Sequence, residues 1–241
     1  YGNYSTLSLG YAGLYECVFR MLEKSHTTEE GRELGLKIMQ YMSDKCTAWK
    51  KDEDISYSLY GTPLESTTYK FAKALQKRFG IIPEVTDRNY ITNSYHINVR
   101  ENIDAFSKIE QESSFQHLSP GGSISYVEVP NMQNNISAVV AILQCIYDNI
   151  TYAEINTKSD YCHVCHYEGE AVLVDNGSGK LVWECPNCKN QDARKMTVVR
   201  RVCGYLGEAA RGMNQGRLGD IHDRVLHVSQ RIDPMSKKTI S

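Results

Sequence analysis

The sequence predicts an α/β fold, on three observations. Residues 55–60 and 123–129 alternate apolar and polar side chains as strands do. Residues Leu14–Leu22 and 135–149 carry apolar side chains three and four apart, the spacing of a buried helical stripe. The two kinds of segment alternate along the chain, and the helical lengths suit crossover connections between layers.

At 241 residues with 41% hydrophobic content, the chain can bury a proper core. Its 27 Lys and Arg stand against 29 Asp and Glu. That balance gives no global basic field, so direct binding to nucleic acid or to a membrane surface is not expected. No apolar run approaches the roughly 18 residues needed to span a bilayer, and no charged-then-apolar leader opens the sequence. Of eight cysteines, four stand in metal-type pairs, while Cys17, Cys46, Cys145 and Cys203 are scattered. That usage suits a reducing compartment, and the chain reads as soluble and cytoplasmic. It begins at Tyr1 and runs at once into the apolar, glycine-punctuated residues 6–16, which predicts a natural start further upstream.

In chain order, the first helix places Leu14, Val18, Met21 and Leu22 on one face. Residues 27–30 then read as a capping box, with the Thr27 hydroxyl on an orphan amide and Glu30 reaching back. The helix that follows turns Leu34, Ile38, Tyr41 or Met42, and Trp49 toward the core. Strand 55–60 runs directly into residues 61–67, where Thr62 suits an N-cap, Pro63 the first helical position, and Glu65 completes a second box. A glycine before a helix start leaves amides bare, and the Ser66 and Thr67 hydroxyls lie nearby, which together make an anion site. The same pattern serves plain helix capping, and Glu65 would repel a phosphate facing it.

Gly80 to Pro83 ends that helix. The polar residues 86–96 read as a loop entering a strand at 96–99, and His96 by itself reads as a hydrogen-bonded structural residue. Gly121 and Gly122 precede the strand 123–129, which Pro130 stops. The helix 135–149 then presents Ile136, Val139, Val140, Leu143, Ile146 and Tyr147 as its apolar stripe.

The composition changes near Asn156, which divides the chain into residues 1–155, 156–192 and 193–241. Cys162 and Cys165 form one tight pair, and Cys185 and Cys188 another. Between them, residues 171–174 and 181–184 flank a turn of Asp, Asn, Gly and Ser, a hairpin signature. Two knuckles joined by a hairpin make a zinc ribbon of four thiolates in tetrahedral order, preferred over disulfides, an iron–sulfur centre or an unligated set. His163 and His166 lie beside the ligands and could substitute, but four cysteines already close the shell. A closed shell leaves no position for water, so the metal holds structure and performs no hydrolysis. A nucleic-acid-binding or assembly ribbon is the alternative use, with Lys189, Arg194, Lys195, Arg200 and Arg201 near phosphates. Against it, the interleaved Met196, Val198 and Val199 look like a strand that packs.

Residues 201–207, Arg-Val-Cys-Gly-Tyr-Leu-Gly, follow the ribbon closely. They resemble the glycyl-radical motif of anaerobic (class III) ribonucleoside-triphosphate reductases, in which a four-cysteine ribbon also sits just upstream. The opening Leu9-Gly10-Tyr11-Ala12-Gly13-Leu14, the stretch 58–65, Val85-Thr86-Asp87, residues 90–96 and Gly121-Gly122 resemble segments of the same family. The resemblance implies the C-terminal part of a ten-stranded α/β barrel, with the zinc-ribbon subdomain and a glycyl-radical loop. The nucleotide-regulated cone and the barrel half bearing the thiyl-radical cysteine would lie upstream.

By the same resemblance, Gly204 carries a radical made by a separate iron–sulfur activase that uses S-adenosylmethionine. The substrate would be a ribonucleoside triphosphate, reduced to its 2′-deoxy form for DNA synthesis, and the complete protein would be a homodimer. Gly61, Thr62, Pro63, Ser66 and Thr67 become a triphosphate site, with Asn93, Ser94 and His96 lining the same pocket. None of the four cysteines outside the ribbon stands in the context of the thiyl residue. The tail departs from the family pattern: its usual aromatic-Asn-x-Gly stands as Met213-Asn214-Gln215-Gly216, and residues 232–238 read as an unstructured extension.

Overall fold

The computed structural model describes residues 5–64, 66–202 and 205–228, and of Val202, Tyr205 and Leu206 only the backbone. Glu65, Cys203, Gly204 and the tail from residue 229 lie outside the described residues. The first half alternates strands and helices as expected. β1 (Thr6–Gly10) leads through α1 (Leu14–Leu22) and α2 (Glu29–Glu53) to β2 (Ser56–Tyr60), which lies parallel to β1 with Thr6 opposite Ser56. After α3 (Thr67–Phe79) and α4 (Ala105–His117), β3 (Ser125–Glu128) crosses through α5 (Ile136–Asn149) to β4 (Ala153–Asn156), again in parallel. The Gly121 N–H donates to Leu59 O at 2.8 Å, and Gly61 N–H donates to Gly122 O at 2.9 Å, so the end of β2 is stitched to the approach of β3. A side chain at Gly121 would meet that same Leu59 oxygen at 2.8 Å, which is why the crossing takes glycine.

Two cores back this layer. Leu14, Val18, Met39, Leu59, Tyr95 and Phe115 form one beneath α1, α2 and α4. Ile109, Val127, Val129, Ala138 and Ile142 form the other, between α4, β3 and α5.

Several local expectations shift. The cap of α2 is Thr28, whose hydroxyl accepts from Gly31 N at 3.2 Å; Thr27 instead bonds Glu101, and Glu30 pairs with Lys24. Leu34, Ile38 and Met42 pack at the edge of the core as expected, but the buried line of α2 is Gly35, Met39 and Cys46, with Tyr41 and Trp49 exposed; a side chain at Gly35 would meet Phe115 at 3.1 Å. No helix starts at Thr62. Residues 61–64 are irregular and α3 begins at Thr67, after an N-cap Ser66 that makes no side-chain bond.

Residues 96–99 form no strand. No ladder holds it: the Ile97 amide donates to the buried Glu112 Oε1 at 3.0 Å and the His96 amide to Asn93 O at 3.0 Å, while in the loop before it Glu16 Oε1 accepts from Thr92 N and Oγ1 at 2.7 and 2.8 Å. In α5 the stripe is turned. Ala138 and Ile142 are buried, while Ile136, Val140, Leu143 and Tyr147 are exposed.

The remaining elements are small. β5 (Asp160–Cys162) pairs antiparallel with β6 (Glu168–Gly169) on one side and β9 (Met196–Thr197) on the other. β7 (Val172–Asp175) and β8 (Leu181–Glu184) make the expected hairpin, and a 3₁₀ turn at Ala193–Lys195 leads into β9. β10 (Val199–Val202) and β11 (Tyr205–Glu208) make a second hairpin, and α6 (Gln215–Asp223) follows. Cys162, Trp183, Cys185, Met196, Val198 and Ile221 share a single core, so the ribbon, the lead into β10 and α6 are packed as one body.

Candidate metal centre and glycine hairpin

Each Cys-x-x-Cys unit is shaped by its own backbone before any metal is considered. His166 N–H closes on Cys162 O, and Lys189 N–H on Cys185 O, both at 2.9 Å. His166 and Lys189, each the residue after the second cysteine, both take left-handed φ values of 59° and 62°. The two knuckles are thus near copies that turn their thiols toward one point. Cys162 Sγ lies 3.7 Å from Cys188 Sγ, and Cys165 Sγ lies 3.7 Å from Cys185 Sγ. All four sulfurs lie within 4.8 Å of one another.

A disulfide would require about 2.05 Å. A tetrahedral site with Zn–S bonds of about 2.3 Å has edges of about 3.8 Å, which these distances match. His163 and His166 are engaged elsewhere, with Thr197 Oγ1 at 3.0 Å and the Tyr161 hydroxyl at 2.6 Å, so the groups that could hold a metal are the four cysteines.

The metal knuckles are bolted to the glycine hairpin by Asp160. Its carboxylate accepts from Arg200 Nη1 at 2.5 Å and Nη2 at 2.7 Å, from Ala171 N at 2.8 Å and from Val199 N at 3.3 Å. Both side chains are buried, and the guanidinium also lies 5.0 Å from the Trp183 ring centre. Arg201 pairs with Glu154, Arg194 with Asp192 and Lys189 with Glu184. Of the five basic residues that a nucleic-acid ribbon would offer to phosphates, Arg200 and Arg201 are committed to buried and half-buried pairs within the chain, while Lys189 and Arg194 make pairs at the surface. Cys203 and Gly204 join β10 to β11 and lie outside the described residues.

Of the other residues singled out in the sequence, Gly61 and Thr62 give their amides to Gly122 O and Tyr60 O. The Leu64 amide donates to Asn93 Oδ1 at 3.2 Å, which joins the 61–64 loop to the 93–96 loop. Pro63 lies between these residues and is half-buried, Ser66 is exposed, and Thr67 opens α3. Ser94 is buried at φ 39°, and its carbonyl accepts from Leu14 N at 3.3 Å. His96 is buried, and its Nε2 lies 2.7 Å from Ile124 O; a carbonyl can only accept, so Nε2 carries the proton. Burial lowers its pKa, which keeps the ring neutral.

Asn93 and His96 line a cavity of about 60 Å³ whose other walls sequence reasoning missed, among them Lys108, Glu128, Arg224 and His227. Lys108 and Glu112 form a buried pair one turn apart on α4; against the cost of burial, Lys108 holds the Glu112 carboxyl down to about 2. The signal for α4 was Asp104, whose carboxylate caps the helix through the Phe106 and Ser107 amides, both at 3.0 Å.

The family model described as anaerobic ribonucleoside-triphosphate reductase matches residues 1–227. The Haemophilus influenzae anaerobic ribonucleoside-triphosphate reductase is 37% identical over 227 residues, 93% of this chain and 31% of that protein. The Escherichia coli protein of the same name is 34% identical over the same share, and the phage T4 protein is 35% identical over 92% of this chain and 35% of its own length. The chain thus spans about a third of the length of these curated relatives. Among solved structures, an anaerobic ribonucleotide reductase superposes with a TM-score of 0.70 at 19% identity, covering 94% of this chain and 35% of that one. The Thermotoga maritima enzyme crystallised with glycerol in its active site gives 0.59 at 18% identity, over 84% of this chain and 31% of its own. Those two likenesses speak for the fold, and the family match covers the four cysteines and the glycine hairpin together, so the chain belongs to the anaerobic ribonucleoside-triphosphate reductase family.

Proposed function

We propose that this segment is the C-terminal part of the catalytic barrel of an anaerobic ribonucleoside-triphosphate reductase, ten-stranded when complete, and that Gly204 carries its radical. One observation carries the reading: the family match spans residues 1–227 and so includes both the ribbon and the glycine loop that follows it. In this reading residues 1–155 supply barrel wall, 156–192 the ribbon and 193–241 the radical loop and tail. A radical on a glycine α-carbon is stabilised by the flanking amide nitrogen and carbonyl, and only glycine lacks a side chain to twist it out of plane. The radical originates with an S-adenosylmethionine and iron–sulfur activase. It passes to a cysteine in the part of the enzyme outside this span, which removes the ribose 3′ hydrogen; the 2′ hydroxyl leaves as water, and formate or a thiol system supplies the reducing equivalents.

Cys162, Cys165, Cys185 and Cys188 would hold zinc, which supplies structure alone from a closed shell. The triphosphate would lie against Gly61, Thr62, Pro63, Ser66 and Thr67, where α3 begins without a side-chain cap, with Asn93, Ser94 and His96 behind it. The complete enzyme acts as a cytoplasmic homodimer with its activase as partner. The test is anaerobic activation of the complete reductase: a doublet-like radical signal is expected, and it disappears in Gly204→Ala. Absence of any radical from the activated wild type would refute the assignment.

A further inference from the structure

The stem of the glycine hairpin is gripped from the side by an arginine that no feature of the sequence marks. β10 and β11 pair Val202 with Tyr205, which leaves a two-residue connection between them. In such a hairpin the closing pair exchanges its backbone bonds, so Arg201, opposite Leu206, turns its carbonyl away from β11. That carbonyl accepts from Arg224 Nη1 at 3.1 Å. The same guanidinium donates to Glu128 Oε1 on β3 at 3.1 Å, and to Asp220 Oδ1 on α6 at 3.0 and 2.8 Å.

Glu128 is itself held firmly. Asn156 Nδ2 donates to its carboxylate at 2.7 Å, and its backbone N–H donates to His227 Nδ1 at 2.8 Å. The Arg201 side chain makes a second bridge, to Glu154 on β4 at 2.6 Å. Two arginines therefore fasten β10 to the β3–β4 pair, only a few residues before Gly204. A guanidinium presents five donors in a rigid plane that hold its acceptors in fixed directions, whereas an ammonium has three rotatable donors on a flexible stem.

We propose that Arg224 is a positioning residue for the glycine loop, fixing the β10–β11 stem against β3 and so setting where Gly204 lies relative to the cysteine that receives its radical. The proposal rests on the glycyl-radical reading above. Making the radical requires only that the activase reach Gly204. Turnover requires Gly204 in register with the active site, so the two readouts separate when the stem is loosened.

The experiment uses the complete reductase carrying this segment, purified and activated without oxygen, with radical content per chain, kcat, KM for the triphosphate and melting temperature measured on each variant. Arg224→Gln is expected to keep its radical content while kcat falls about ten- to a hundredfold, the cost of a misplaced reacting group, with assays run below the melting temperature of each variant because Glu128 loses its buried partner. Arg224→Lys should fall between it and wild type. Unchanged turnover, or radical and turnover lost in proportion, would overturn the proposal. Should Arg224→Gln fail to fold, Asp220→Asn weakens the hold of α6 on the Arg224 guanidinium without removing it, and the same split of kcat from radical content decides the matter. A wild type that activates without a radical, or a radical that survives Gly204→Ala, sinks the reading itself, and this proposal with it.

Discussion

Asp160 and Arg200 stand forty positions apart, each beside a residue that looks more important, and neither is marked by any motif. Together they make a buried, two-pronged ion pair that also receives two backbone amides. Asp160→Ala would leave a buried guanidinium without its counter-ion and is expected to cost about 3–5 kcal/mol. A urea titration of this segment checks it, and a loss below about 1 kcal/mol, the range of an exposed pair, would contradict the burial argument.

The histidines make a second prediction at this scale. Burial pushes His227 down to about 3 and His26 to about 4, each far below the ordinary imidazole value of about 6.5. The folded state then binds fewer protons than the unfolded chain between those limits, so stability is full above about pH 6.5 and falls as the pH drops toward 4. Going from pH 7 to pH 5 should cost roughly 2 kcal/mol for each such histidine. Urea midpoints at the two pH values test this, and His227→Gln should flatten the dependence. A pH-independent midpoint would rule it out.

At the scale of elements, periodicity located α1, α5 and the strands β2 and β3 close to where they lie, because each is decided by its own side chains. It failed where something distant intervened. The 96–99 segment looked like a strand, but its Ile97 amide is taken by the buried Glu112 carboxylate, and α4 went unseen because its inner face mixes Lys108, Glu112 and Gln116 with Ala105, Ile109 and Phe115 and so breaks the apolar stripe. In α5 the helix was legible but its buried side was not, since both faces are apolar and only the packing against β3 and α4 selects Ile142 over its neighbour. That choice can be measured. Ile142→Ala should cost about 2–5 kcal/mol and Leu143→Ala well under about 1 kcal/mol. Equal losses at these adjacent positions would mean that the helix is rotated from the arrangement described.

At the scale of the whole molecule, the four-cysteine ribbon and the hairpin are one mechanical unit. The core of Cys162, Trp183, Cys185, Met196 and Val198 is shared by the ribbon and the strand leading to Gly204, so metal removal should be felt beyond the cysteines. Stripping the ion with a chelator is expected to raise amide exchange across 196–202 and 215–223 while residues 105–116, in a separate core, keep their protection. Exchange confined to 162–188 would show that the ribbon is an independent appendage.

The sequence by itself determined the α/β class, the two cysteine pairs that come together and the place of the glycine motif. Each of these is written in spacing along the chain: a period of two or about 3.6, a pair of cysteines three apart, a glycine at one position in a short string. Only the tertiary structure decided that Asp160 ties the ribbon to β10, that Arg224 joins β3, α6 and the Arg201 carbonyl, and that Asn93 and His96 share a cavity with that arginine. Those contacts depend on which charged groups are brought together out of water. Burial makes a pair of them strong and an unpaired one costly, and it comes from the packing of elements far apart in the chain.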